Sequence, residues 1–179
     1  MEQQVVEKIR QAQQGNHAAF RYLVSLYDER ITKLIYSIVQ NQSDTEDLYQ
    51  DIFLKVWKQI HTFQFRSDFY SWLYRVAVNT CYNFHASHRR HYWAEVRDHV
   101  DQSAVIELTG DRDSSAAAQA VRHAIRKLPT RQRTVVVMHY IEGNPISVIA
   151  SLLKINDGTI KRYLFRARET MRKELTDYV

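Results

Sequence analysis

Apolar residues recur along most of this chain at steps of three and four, the spacing that lays them down one face of an α-helix. Val5, Ile9 and Ala12 mark a short opening helix. Phe20, Leu23, Val24, Tyr27, Ile31, Leu34, Ile35 and Ile38 carry the same rhythm over a second, longer one, and the pattern breaks at 41–43. The next helix is expected to open on a capping box, with Ser43 accepting from the Glu46 amide and Glu46 reaching back. Asp44, Glu46 and Asp47 would then sit at the positive end of the helix dipole. Leu48, Ile52, Val56 and Ile60 form one stripe, with Tyr49, Phe53 and Trp57 beside it. The rhythm stops over 61–67, HTFQFRS, which predicts a short loop. Ser67 or Asp68 caps the following helix, whose buried side is Phe69, Trp72, Leu73, Val76, Ala77, Thr80 and Phe84.

Residues 91–115 lose periodicity. They are acidic and carry Gly110, Asp111, Asp113, Ser114 and Ser115, which predicts a flexible linker with room for a short helix around 104–108. Four helical stretches follow, over 116–128, 131–141, 146–153 and 157–175. Pro129, Gly143 and the Asn144-Pro145 turn punctuate them. The expected architecture is all-α: two small helical domains, 1–90 and 116–179, joined by the linker 91–115.

Within the last domain, 144–170 has the layout of a helix-turn-helix. Ile146, Ile149, Ala150 and Leu153 line a short helix, and Ala150 is small enough for two backbones to approach. Lys154, Ile155 and Asn156 make the turn, Ile155 and Ile160 fill the angle, and Asp157 is placed to cap the second helix. That helix puts Ile160, Leu164, Ala167 and Met171 inside and presents Thr159, Lys161, Arg162, Phe165, Arg166, Arg168 and Arg172. A helix of this width enters the major groove, where Arg meets guanine acceptors and the other cations meet phosphates. Periodicity and charge alone leave a competing reading, a solvated basic helix in a bundle.

Composition narrows the classes. At 179 residues with 45% hydrophobic content a core can form, and 4 Gly and 2 Pro are too few for a protein built of hairpins. Cys81 is the single cysteine, so no internal disulfide exists, which fits a reducing cytoplasm. The N-terminal stretch lacks the apolar centre of a signal peptide, and the apolar run 135–138 is far too short to cross a bilayer. A soluble, cytoplasmic protein without membrane insertion is expected. The net charge of +5 is uneven: 11 Lys+Arg against 9 Asp+Glu over 1–90, 2 against 6 over 91–115, and 12 against 5 over 116–179. A basic C-terminal segment behind an acidic one points towards a polyanion, without settling it.

Two separated segments resemble the extracytoplasmic-function (ECF) family of bacterial RNA polymerase sigma factors. The first, DTEDLYQDIFLKVWKQIHTF at 44–63 running into SDFYSWLYRVAVNTCYNF at 67–84, is similar to the family's region 2. The second, LPTRQRTVVVMHYIEG at 128–143 followed by GTIKRYLFRAR at 158–168, is similar to region 4. The resemblance implies a non-enzymatic subunit that binds polymerase core and recognises promoter −10 and −35 elements. Asp47, Gln50, Asp51, Lys55 and Trp57 would meet the coiled-coil clamp of the large subunit, although Asp44, Glu46 and Asp47 are also natural capping residues. The loop 61–67 would receive a flipped −10 base, an extrusion that costs stacking and asks for aromatic surface and hydrogen bonds. Phe63 and Phe65 offer the first, Gln64, Arg66 and Asn79 the second; core packing is the competing role for the phenylalanines. Arg75, Asn83, Arg89 and Arg90 would follow the strands, and for Tyr82 burial and contact weigh equally. Thr159, Lys161, Arg162, Phe165, Arg166 and Arg168 would serve the −35 element, with Arg168 and Arg172 nearer the phosphates or solvent. An anti-sigma factor, membrane-anchored in many relatives, is the implied regulatory partner.

The chain departs from the family at Val148, where the family's first helix usually has Glu; at Lys154 and Phe65, where Gly is common; and at Tyr163, a frequent Arg. These bear on promoter sequence more than on function. Cys81, His85, His88 and His91 have helical spacing, but no carboxylate or second cysteine completes a zinc set, so no metal and no cofactor is expected. Phosphate loops, zinc-protease pairs and nucleophile elbows are absent from the sequence. The carboxylates of 44–51 are better spent on capping than on acid–base chemistry. The competing function is a stand-alone helix-turn-helix regulator, which would bind duplex DNA by itself.

Overall fold

Helix α1 (Gln3–Gln13) buries Val5, Ile9 and Ala12, the three positions that its spacing singles out. The computed structural model describes residues 3–92 and 116–176, the side chains of 85–92 excepted, and every regular element among them is helical. The chain divides into two compact units, Met1–Thr80 and Cys81–Val179. The segment 93–115, with the expected linker and its short helix, lies outside the described residues.

In the first unit, Gly15 takes a positive φ of 89° that a side chain rarely tolerates, and this turns the chain from α1 into α2 (His17–Val39). Asn16 caps α2 by accepting from the Ala18 and Ala19 amides at 2.9 and 3.0 Å. Leu23, Ile31, Leu34, Ile35 and Ile38 are buried along it; each such side chain contributes about 1.5–3 kcal/mol of burial free energy. Gln40 ends α2 in the left-handed conformation, and α3 (Gln42–Gln59) starts at once. Its cap is Asn41, whose side chain accepts from the Asp44 amide at 2.9 Å. The expected Ser43–Glu46 box does not form: Ser43 is already inside the helix, and Glu46 accepts from Gln42 Nε2 at 2.7 Å. The early stop of α2 leaves Asn41 extended, two residues before the expected cap, and an extended Asn satisfies the orphan amides first.

Leu48, Ile52, Val56 and Ile60 are buried as one stripe, and α2 packs between α1 and α3. Burial, and then hydrogen bonding with Asp28 that ties α3 to α2, holds the Tyr49 phenol well above its ordinary value. A 3₁₀ turn (Ile60–Thr62) finishes α3. Helix α4 (Phe69–Tyr92) is capped by Asp68, which accepts from the Ser71 amide at 2.9 Å and its hydroxyl at 2.6 Å. Of its expected buried side, Phe69, Leu73 and Ala77 are buried, while Trp72, Val76, Thr80 and Phe84 are half-buried; Tyr74 and Val78 join the interior, and the buried Cys81 is the first residue of the second unit. The helix reaches two residues into the segment read as linker.

In the second unit, α5 (Ala116–Arg126) is followed by α6 (Thr130–Val136), a π-helical turn (Val137–Ile141), α7 (Ile146–Leu153) and α8 (Asp157–Thr176). Helix α8 packs against α5, α6 and α7. Helix α5 stops two residues short of the expected end, where the Leu128 amide bonds the Ile125 carbonyl at 3.1 Å in a tighter turn ahead of Pro129, which has no amide hydrogen to continue the helix. The Arg133 guanidinium donates to the carbonyls of Ile125, Arg126 and Leu128 at 3.2, 2.8 and 2.8 Å. Burial, then the charge of Arg126, pushes it down to about 10, still cationic at neutral pH. The α6 stretch keeps the expected extent to Ile141 but widens at its end, where the Glu142 amide bonds Val137 at 2.9 Å.

Candidate nucleic-acid and polymerase interfaces

Three surfaces carry the residues that the sequence singles out. The first is the solvent face of α3. Asp47, Gln50 and Asp51 are exposed on one side of the helix, opposite the Leu48–Ile52–Val56 stripe. Lys55 is half-buried at the flank, 3.8 Å from Asp51. Trp57, at the other flank, is turned inward: its ring stacks on His17 at 4.5 Å and meets Phe20 at 4.9 Å. It therefore fixes the start of α2 against α3. The apolar residue that this face does present is Leu54, 56% exposed among Asp47, Asp51 and Lys58. Sequence reading passed over it because the apolar stripe draws attention; its signal was a leucine four residues from Gln50 and Lys58 on the polar side.

The second surface is the loop after the 3₁₀ turn. Phe63 is only 4% exposed, its ring within 5.0–5.6 Å of Phe65, Phe69 and Trp72, so it serves as the pin of an aromatic cluster. Gln64 and Arg66 are exposed. Phe65, 37% exposed, has a φ of 57°, a left-handed conformation that disfavours a bulky side chain and favours Gly. Arg10 of α1 lies 5.8 Å from the Phe65 ring centre.

From the loop, α4 sends out Arg75, Asn79 and Asn83 at helical spacing along one face. Arg75 and Asn83 are exposed; Asn79 is half-buried and donates to the Arg75 carbonyl at 2.8 Å. Tyr82 is buried. The side chains of Arg89 and Arg90 lie outside those described.

The third surface is α8. Ile160, Leu164 and Ala167 are buried, Met171 is half-buried, and Lys161, Arg162, Phe165, Arg166, Arg168 and Arg172 are exposed. Phe165 stands 56% exposed in the middle of the cations. The cap of α8 is Asn156 and not Asp157: its side chain accepts from the Thr159 amide at 2.8 Å and the Thr159 hydroxyl at 3.0 Å. Asn156 lies just outside the helix, where a capping side chain can fold back, whereas Asp157 is already its first residue. Thr159 is thus half-buried and engaged at the cap. Arg168 Nε reaches back to the Leu164 carbonyl at 3.4 Å. In the turn of the helix-turn-helix, Lys154 has a φ of 55°, the left-handed residue that ends α7, with its amide on the Ala150 carbonyl.

Among the described residues no helix is long and apolar enough to cross a membrane. No group of three or more His, Cys, Asp and Glu among them is placed to hold a metal; Cys81 is buried, and the side chains of His85, His88 and His91 lie outside those described.

The comparisons with known proteins agree with this layout. The family description Sigma-70 region 2 matches residues 23–91, and Sigma-70, region 4 matches 118–171. A Bacillus subtilis (strain 168) protein described as ECF RNA polymerase sigma factor SigW is 30% identical over 186 residues, covering 99% of this chain and 100% of the relative. The Pseudomonas aeruginosa RNA polymerase sigma-H factor is 31% identical over 190 residues, covering 97% and 93%. Among solved structures, CnrH in complex with the cytosolic domain of CnrY matches with a TM-score of 0.59 at 25% identity, over 95% of this chain and 96% of that one. The sigma factor RpoE of Bartonella quintana, in complex with the anti-sigma factor NepR, shares the fold with a TM-score of 0.61 at 22% identity, over 88% and 96%.

Two helical modules of this kind, one matching region 2 and the other region 4, define a sigma factor. The chain belongs to the ECF family of RNA polymerase sigma factors. It is a transcription initiation factor that binds RNA polymerase core and promoter DNA.

Proposed function

We propose a division of labour between the two modules. Residues 1–90 bind polymerase core through the α3 face of Asp47, Gln50, Asp51 and Lys55, with Leu54 at its centre and Trp57 holding α3 in place. The same module opens the −10 element: Gln64, Phe65, Arg66 and Asn79 receive a flipped base over the aromatic cluster pinned by Phe63. Arg75, Asn83, Arg89 and Arg90 follow the strands. Residues 116–179 dock on the polymerase flap and read the −35 major groove with Lys161, Arg162, Phe165 and Arg166. Thr159 sets the first turn, and Arg168 and Arg172 meet phosphates. Residues 91–115 connect the two near the RNA exit path. No catalysis is assigned to the chain, because opening draws on the binding free energy of unstacked DNA. The protein works in the cytoplasm, and an anti-sigma factor holds it inactive until a stress releases it.

The observation that carries this reading is the face of α8, where Phe165 and the exposed cations Lys161, Arg162, Arg166, Arg168 and Arg172 lie outside a buried Ile160–Leu164–Ala167 stripe in a helix-turn-helix. A stand-alone regulator would need only this module, and the region 2 match gives it no role. The test is transcription in vitro with core polymerase and mapped start sites. Lys161→Ala with Arg162→Ala is expected to lower use of the −35 element by about tenfold or more, since each lost base contact weakens discrimination by about 1–3 kcal/mol, while core binding persists. Unchanged promoter choice would remove the assignment. Site-specific duplex binding without polymerase would favour the regulator.

A further inference from the structure

The loop 61–67 is gripped from a helix far away in sequence. Gln13, at the last turn of α1, is half-buried and donates both hydrogens of its amide. One goes to the Ile60 carbonyl at 3.0 Å and the other to the Phe63 carbonyl at 2.8 Å, across 47 and 50 residues of chain. A Gln amide has two donors and no more, so this side chain is fully committed as a donor. The Ile60 carbonyl also accepts the Phe63 amide at 3.1 Å, so the two ends of the 3₁₀ turn meet on the Gln13 amide.

Phe63 is thereby held twice. Its ring is locked among Phe65, Phe69 and Trp72, and its carbonyl is locked by Gln13. The peptide fixed in this way is the one that launches Gln64, Phe65 and Arg66, the exposed tip. One turn earlier on α1, Arg10 stands over Phe65 at 5.8 Å. Helix α1 therefore touches the loop at its base and at its tip. A tip with one direction before DNA arrives loses less conformational freedom when a base enters, and that saving appears as affinity.

We infer that Gln13 is a positioning residue for capture of the −10 base: it fixes the direction of the loop tip without touching DNA. The inference rests on the base-capture reading of the loop given above. Its test uses the full chain in complex with core polymerase, Gln13→Met as the variant that keeps volume and removes both donors, and Gln64→Ala with Arg66→Ala as the loop variant. Two quantities are read: fluorescence of 2-aminopurine placed at the captured position, and the preference for the cognate −10 base over a substituted one.

Gln13→Met is expected to reduce that preference roughly tenfold, the scale of one or two ordinary hydrogen bonds, and to lower the fluorescence, with core affinity and −35 use within about twofold of wild type. If preference and fluorescence stay at the wild-type level in the variant, Gln13 has no positioning role. Loss of core affinity and −35 use in parallel with the preference, together with a lowered Tm, would make it an ordinary structural residue and also overturn the inference. Where the loop variant abolishes preference and Gln13→Met does not, only the inference fails. Where the loop variant itself leaves preference unaltered, base capture fails and takes the inference with it.

Discussion

At the scale of single residues, the interior of the second unit depends on a cation. Arg133 is buried, and its guanidinium spans three carbonyls at the end of α5. Two effects oppose each other there. Desolvating the charge is costly, which is why burial lowers its protonation equilibrium to about 10. Against that, the carbonyls of Arg126 and Leu128 at the end of α5 need donors, while that of Ile125 already accepts the Leu128 amide at 3.1 Å. The planar fork reaches all three; the point charge of a lysine cannot. Arg133→Met is therefore expected to destabilise the chain by about 2 kcal/mol, the net of lost charged hydrogen bonds and relieved desolvation, with Arg133→Lys close to it. Thermal unfolding of both variants checks this, and a variant as stable as wild type would show that desolvation wins. None of this is legible in the sequence, where an arginine in a segment of 12 Lys+Arg reads as surface charge. The grip of Gln13 on Ile60 and Phe63 is hidden for a related reason: no local pattern announces a partner 47 residues away.

Elements were far more legible than their ends. The stripes Val5–Ile9–Ala12, Leu48–Ile52–Val56 and Ile160–Leu164–Ala167 are buried as their period requires, because burial on one face is what makes a short helix stable. Caps were hard to read where a helix start offered more than one capping residue type within a few positions. Around 41–44 and 156–157, two capping residue types lie within two positions of each other, and the tie is broken by where the preceding backbone turns, at the left-handed Gln40 and Lys154. At 67–68 the sequence left Ser67 and Asp68 as equal candidates; Asp68 is the one that caps, and it makes a quantitative case for α4. Its hydrogen bonds with the Ser71 hydroxyl and then the Ser71 amide hold the carboxyl below its ordinary 3.8. A carboxylate with a depressed folded-state value adds stability above the unfolded value and loses it as pH falls through the folded one. The stability gap between wild type and Asp68→Ala, about 1 kcal/mol at neutral pH for a lost cap, is thus expected to hold down to the ordinary aspartate range and to narrow below 3.8. Denaturant unfolding of both proteins across that range tests it; a gap independent of pH would mean that the ionised form of Asp68 does not matter to α4.

The scale of the whole molecule is where two separate units have to act on one machine. Each unit closes its own interior, the first around Ile9, Leu23, Ile35 and Ile52, the second around Leu128, Met138, Ile149 and Ile160. The candidate core-binding face on α3 and the candidate −35 face on α8 belong to different units and share no side chain. Energies at sites without shared partners add, to within about 0.5 kcal/mol, whereas sites that reorganise one another do not. Leu54→Ala with Asp51→Ala removes exposed groups from α3 at little cost to folding, and Arg166→Ala with Phe165→Ala does the same on α8. The α3 pair is expected to weaken core affinity equally at every promoter. The α8 pair should change promoter choice and spare core affinity. Combined, the four substitutions should lower transcription by the product of the two separate effects, measured as initiation rates over a titration of the factor on promoters with and without a −35 element. A combined loss much smaller than that product would show that one face works only when the other is engaged. The units would then be two halves of a single binding surface completed on the polymerase, and the division of labour read from their separate interiors would have to be given up.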